Sequence, residues 1–65
     1  MRVKVLFRGK SKVVKTEAKT VEKLLLELGF NPEAVIVLCN NSIVPLRSRL
    51  AENEELNVIS VVSGG

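Results

Sequence analysis

The sequence predicts a single α+β domain in which one helix packs on a mixed sheet of four to five strands, in the order ββαβ(β)β. Three observations predict it. The N-terminal residues alternate apolar and charged with a period of two. A central stretch then switches to a helical period, and two later runs of apolar, β-branched residues are set apart by turn residues. A 65-residue chain buries only about 60% of the surface its unfolded form exposes, so its core must be dense. The composition allows this, with 46% hydrophobic residues and only Phe7 and Phe30 as aromatics.

From Arg2 to Arg8, Val3, Val5 and Phe7 share one face while Arg2, Lys4, Leu6 and Arg8 share the other, the pattern of a half-buried strand. Gly9-Lys10-Ser11 reads as a turn and Lys12 to Thr16, with Val13 and Val14, as the return strand of a hairpin. Val21, Leu24, Leu25 and Leu28 then fall at i, i+3, i+4 and i+7, one side of a helix of about two to three turns. Thr20 is placed to cap its N-terminus. Gly29 stands where a left-handed C′ residue is wanted, Phe30 can fold back on the helix end, and Asn31-Pro32 stops continuation. Val35 to Cys39 is too short for a second helix and reads as a strand, with Asn40-Asn41 as a tight turn and Ile43-Val44 as a brief return before Pro45. Leu46 to Glu54 is irregular, anchored by Leu50, and Glu55 to Val62 forms the last strand. The expected organisation is a folded domain over 1–62 and a flexible tail over 63–65, since Ser63-Gly64-Gly65 carries no bulky side chain.

The residue inventory excludes most enzyme chemistry. With no histidine and no aspartate, no Ser-His-Asp or Cys-His arrangement can form. One cysteine and scattered glutamates do not supply a metal-ligand cluster, and Gly9, Gly29, Gly64 and Gly65 do not space a phosphate loop. No catalytic residue, bound cofactor or metal is expected of the chain itself, which points to a carrier, substrate or partner. Cys39 has no companion for a disulfide, which fits a reducing, cytoplasmic setting. No leader and no apolar run near 18 residues is expected to direct the chain to a membrane. The net charge of +3 is concentrated before residue 24, where eight Lys and Arg face only Glu17 and Glu22. This reads as a solvated face or as an electrostatic surface for an acidic protein or RNA. Without Trp or Tyr to stack on bases, direct nucleic-acid binding is disfavoured.

The element order, the segment Val35-Ile36-Val37-Leu38-Cys39-Asn40-Asn41-Ser42-Ile43-Val44-Pro45 and the ending Val61-Val62-Ser63-Gly64-Gly65 resemble the ThiS/MoaD family of ubiquitin-like sulfur carriers. The short length is more similar to the ThiS branch. The resemblance covers essentially the whole chain and implies a β-grasp fold. Many members carry Gly-Asp before the last strand, where this chain has Asn53-Glu54, and Asn accepts the same left-handed conformation. The resemblance implies that an E1-like adenylating enzyme, using ATP with Mg, would activate the Gly65 carboxylate. A sulfur donor, a cysteine desulfurase or persulfide protein, would convert the adenylate to a thiocarboxylate. That group would serve a sulfur-accepting synthase such as thiazole synthase, or molybdopterin formation or tRNA thiolation. Some relatives instead join the activated end to lysines of target proteins. Two residues without Cβ suit threading through a partner's channel, with Ser63 and Gly64 passing behind Gly65. Ordering them costs about 1–2 kcal/mol per residue, so a folded docking face must supply the affinity. A terminal Gly-Gly alone is also compatible with an unused tail on a plain binding module.

Strand parity nominates that face. With Val3, Val5, Phe7, Val35, Val37, Cys39, Leu56 and Val58 turned inward, Leu6, Ile36, Leu38, Ile59 and Val61 are left on the open side of the sheet, fringed by Lys4 and Arg8. Such apolar patches mark partner surfaces or homodimer contacts, and a one-residue register error would exchange the faces. Partner enzymes of the family dock on this kind of face. The same parity makes Cys39 a core thiol rather than a sulfur-handling one.

Overall fold

The computed structural model describes residues 1–61. Five strands, β1 (Arg2–Phe7), β2 (Lys10–Lys15), β3 (Val35–Cys39), β4 (Ser42–Ile43) and β5 (Glu54–Ser60), form one sheet in the order β2-β1-β5-β3-β4. The helix α1 (Val21–Glu27) lies on one face. β1 and β5 pair in parallel at the centre, and every other pairing is antiparallel. The α+β architecture and mixed sheet are those the sequence predicts. The expected tail, 63–65, lies outside the described residues, as does Val62, and the final strand closes two residues earlier than expected, at Ser60.

The first hairpin turns one residue earlier than its composition suggests. Arg8 and Gly9 are the two turn residues, with φ of 52° and 78°, and β2 begins at Lys10 instead of Lys12. Two consecutive positive φ values match the right-handed twist of the flanking strands. That match outweighs the small penalty of placing a non-glycine residue at the first position. Asn40 and Asn41 make the second such turn, at 54° and 65°, and Asn53 turns into β5 at 63°.

The helix is bounded as its sequence predicts. Thr20 accepts a hydrogen bond on its hydroxyl oxygen from the Lys23 N–H at 3.3 Å. At the other end the Phe30 N–H donates to the Leu25 carbonyl at 2.9 Å and the Gly29 N–H to the Leu26 carbonyl at 3.1 Å. These two bonds close a Schellman motif around Gly29, whose φ is 88°. A short 3₁₀ turn over Pro32–Ala34, not signalled by the strand and helix periods, then leads into β3, capped by the Asn31 side chain.

Val21, Leu24 and Leu25 of the helix meet Val3, Val5, Val37, Leu56 and Val58 of the sheet in a core closed by Ala18 and Leu50. Leu50 is the buried anchor of the irregular segment, held by its N–H donating to the Lys19 carbonyl at 3.0 Å. Among the described residues Thr16 is the one buried polar residue. Its hydroxyl donates to Glu27 Oε1 at 2.6 Å and accepts from the Ala18 N–H at 2.9 Å, fixing the β2–α1 connection to the helix end.

Candidate functional site

All five residues of the expected docking face are brought to the side of the sheet opposite the helix. Across the sheet Leu6 lies beside Asn57, Asn57 beside Leu38, and Leu38 beside Ile43. One step toward the end of β5, Ile36 lies opposite Ile59. Leu6 and Leu38 are half-buried by their neighbours, whereas Ile36 is 37%, Ile59 41% and Val61 49% exposed. The Val61 N–H donates to the Ala34 carbonyl at 3.0 Å, extending the β3–β5 ladder beyond Ser60. The apolar strip therefore runs to the last described residue of the chain.

Ile43 was missed by the parity argument, and it is the most exposed large apolar side chain of the face at 70%. It stands opposite Leu38, and directly paired residues of an antiparallel ladder point to the same side. The signal was present in the sequence: a two-residue Asn-Asn turn makes Cys39–Ser42 and Leu38–Ile43 symmetric pairs. Val13, opposite Lys4 on the edge strand, joins the same side.

The expected polar fringe is half realised. Lys4 lies on this face, with its ammonium 3.5 Å from Glu55 Oε2 between two well-exposed side chains. Such a pair contributes about 0–1 kcal/mol. Arg8 sits in the hairpin turn instead of the strand, and its guanidinium lies 5.1 Å from the centroid of the Phe7 ring. Phe7 belongs to the helix side, packed edge-on against Phe30 at 4.8 Å, so Arg8 does not fringe the open face. The positive φ at Arg8 redirects its side chain.

Cys39 packs against the core at its margin and is half-buried. Burial pushes its thiol pKa above the ordinary value, and the Glu54 carboxylate, 3.9 Å from the sulfur, pushes it the same way. A thiol held protonated is a poor nucleophile at neutral pH, as expected for a packing residue. Among the described residues no group of His, Cys, Asp and Glu is arranged to hold a metal, and no helix is long and apolar enough to cross a membrane. A cleft of about 700 Å³ between Arg2, Thr16, Glu27 and Glu52 lies at the opposite end of the sheet from Val61. Two of its carboxylates already accept bonds from the Thr16 hydroxyl and the Arg2 N–H. The residues expected to thread into a partner, Ser63 and Gly64, and the terminal Gly65 lie outside the described residues.

Comparison with known proteins places these features in a family. The ThiS family model matches residues 3–65. The sulfur carrier protein TtuB of Thermus thermophilus is 31% identical over 65 residues, covering all of both chains. Among solved structures, SAMP1 of Haloferax volcanii superposes with a TM-score of 0.74 at 19% identity, covering all of both chains. The N-terminal ubiquitin-like domain of the 4931431F19Rik protein superposes at 0.75 and 13% identity, covering all of this chain and 78% of that one. At those identities the structural matches speak for the fold alone, which is the ubiquitin-like β-grasp. The match through Gly65, together with the full-length similarity to TtuB, shows that the chain belongs to the ThiS family.

Proposed function

We propose that this chain is a sulfur carrier whose Gly65 carboxylate is activated by an E1-like adenylating enzyme and converted to a thiocarboxylate. The observation that carries the reading is the family match, which runs to Gly65 in a chain similar end to end to a sulfur carrier. The exposed apolar strip leading to Val61 supports it, since it offers a docking surface next to the tail. In the proposed sequence the carboxylate attacks the α-phosphorus of ATP, bound with Mg by the partner, and pyrophosphate leaves. The terminal sulfur of a persulfide then attacks the acyl carbon and AMP leaves. Reductive cleavage of the resulting acyl disulfide by a thiol frees the thiocarboxylate. Nothing in this sequence asks catalysis of the carrier: it presents a carboxylate and a docking face, and the partners supply the acid–base groups it lacks.

Leu6, Ile36, Leu38, Ile59 and Val61, with Ile43 added, form the docking face in this reading, and Ser63 and Gly64 thread the tail into the activating enzyme. A sulfur-accepting synthase such as thiazole synthase follows in the same scheme, in a cytoplasmic setting. The test is intact-protein mass spectrometry after incubation with ATP, the cognate activating enzyme and a persulfide donor. A mass gain equal to replacing one oxygen by sulfur, mapped to Gly65, is expected. Gly65 found only in isopeptide linkage to lysines would make the chain a protein modifier. An unmodified Gly65 and no adenylate would overturn both.

A further inference from the structure

The edge of the sheet formed by β2 carries chemistry that the tail and the open face do not use. β2 is six residues long and, among the described residues, pairs only with β1 and ends one side of the sheet. The phase of its hydrogen bonding follows from the Thr16 N–H, which donates to the Met1 carbonyl at 2.9 Å. In an antiparallel ladder such pairs recur every second residue, so Val14, Lys12 and Lys10 bond to Val3, Val5 and Phe7. Ser11, Val13 and Lys15 therefore turn their N–H and C=O groups outward. Among the described residues no backbone group of another segment bonds to them. At about 3.4 Å per residue these three sets of groups span about 14 Å, the reach of a five- or six-residue strand.

Beside this edge lies a groove of about 270 Å³ between β2 and the end of the helix, lined by Val14, Leu28 and the rings of Phe7 and Phe30. Lys10 and Lys12 form its outer wall, and β2 holds no acidic residue. A second copy of this edge is a poor occupant, because antiparallel self-pairing would bring the lysines of two β2 strands together. Phe7 and Phe30 are half-buried and packed edge-on against each other, which argues against RNA, whose bases stack on open aromatic faces. We propose that β2 accepts an extended acidic-hydrophobic peptide of a partner protein as a sixth strand, its apolar side chains entering the groove and its carboxylates meeting Lys10, Lys12 and Lys15. The main chain would supply binding and the groove specificity, as in other strand additions. Lysines on an edge also deter aggregation, and the experiment separates the two roles.

The probe is an acetylated, amidated peptide Glu-Asp-Val-Ile-Val-Ile-Asp-Glu, titrated into the ¹⁵N-labelled full chain and followed by amide shifts and hydrogen exchange. Binding with a dissociation constant below about 1 mM is expected, with the Ser11, Val13 and Lys15 amides shifting and gaining protection. Val13→Pro removes an outward N–H without touching the β1 ladder, a substitution that edge strands tolerate, and is expected to weaken binding at least about tenfold. The double variant Lys10→Glu, Lys12→Glu keeps every backbone bond and is expected to do the same. A version of the peptide with Lys in place of its acids is expected not to bind. No saturable shift up to about 1 mM would overturn the proposal. So would shifts confined to the Leu6–Ile43 face, or unchanged affinity in either variant. Concentration-dependent β2 shifts without peptide would assign the edge to a second copy. Stronger shifts of the same amides with an oligoribonucleotide would assign it to RNA.

Discussion

Replacing Ile43 by serine separates docking from folding more cleanly than any other change on the open face. Full burial of an Ile side chain is worth about 1.5–3 kcal/mol, and Ile43 is 70% exposed in the free chain. A partner covering the face would therefore gain about 1–2 kcal/mol from this residue, and Ile43→Ser would raise Kd or KM by about 5- to 30-fold. The fold should not register the loss: β4 is two residues long and exposed, and substitutions at such sites shift stability by about 0.5 kcal/mol or less. The assay is ATP–pyrophosphate exchange by the cognate activating enzyme at varied carrier concentration, beside thermal unfolding of the variant. The expected result is a raised KM, an unchanged kcat and an unchanged unfolding midpoint. An unchanged KM would refute the assignment of this face. A lowered midpoint of several degrees would show that Ile43 acts through the fold.

Gly29→Ala adds a Cβ with no atom within 4 Å, so only its φ of 88° penalises it. The left-handed conformation costs about 1–2 kcal/mol, offset by about 0.4–1 kcal/mol from the stiffer unfolded chain. A net loss near 1 kcal/mol should lower Tm by about 4–8 °C. Leu56→Ala on the fully buried centre of β5 should cost about 2–5 kcal/mol, much of the roughly 3–10 kcal/mol expected for a chain this size; urea unfolding would show it. The raised Cys39 pKa predicts slow iodoacetamide alkylation at neutral pH, with a rate profile shifted to higher pH than that of the unfolded chain. Glu54→Gln should move that profile back down. Because the folded thiol holds its proton more tightly than the unfolded one, its contribution to stability is complete below the unfolded pKa and is lost as pH rises through the folded one. Chemical denaturation at rising alkaline pH, with Cys39→Ala as the reference, measures this.

Local chemistry wrote much of this molecule into its sequence. The helical spacing of Val21, Leu24 and Leu25, the Thr20 cap and the Gly29 terminus needed only residues a turn apart, and each took its expected place. Strand parity placed Val3, Val5, Val37, Leu56 and Val58 inward for the same reason, since side chains alternate whatever the partner strand is. The Arg8–Gly9 turn escaped the reading because Lys10 and Ser11 are as polar as turn residues, while strand twist selects a two-residue turn. Only the tertiary structure decided that β1 pairs in parallel with β5. That pairing joins segments about fifty residues apart and is settled by one helix covering their inward-facing Val3, Val5, Leu56 and Val58 together. It sets Leu6, Asn57, Leu38 and Ile43 side by side across one face and leaves β2 as an open edge. No local pattern encodes which strands are neighbours, because their contact energy exists only once the whole core has closed.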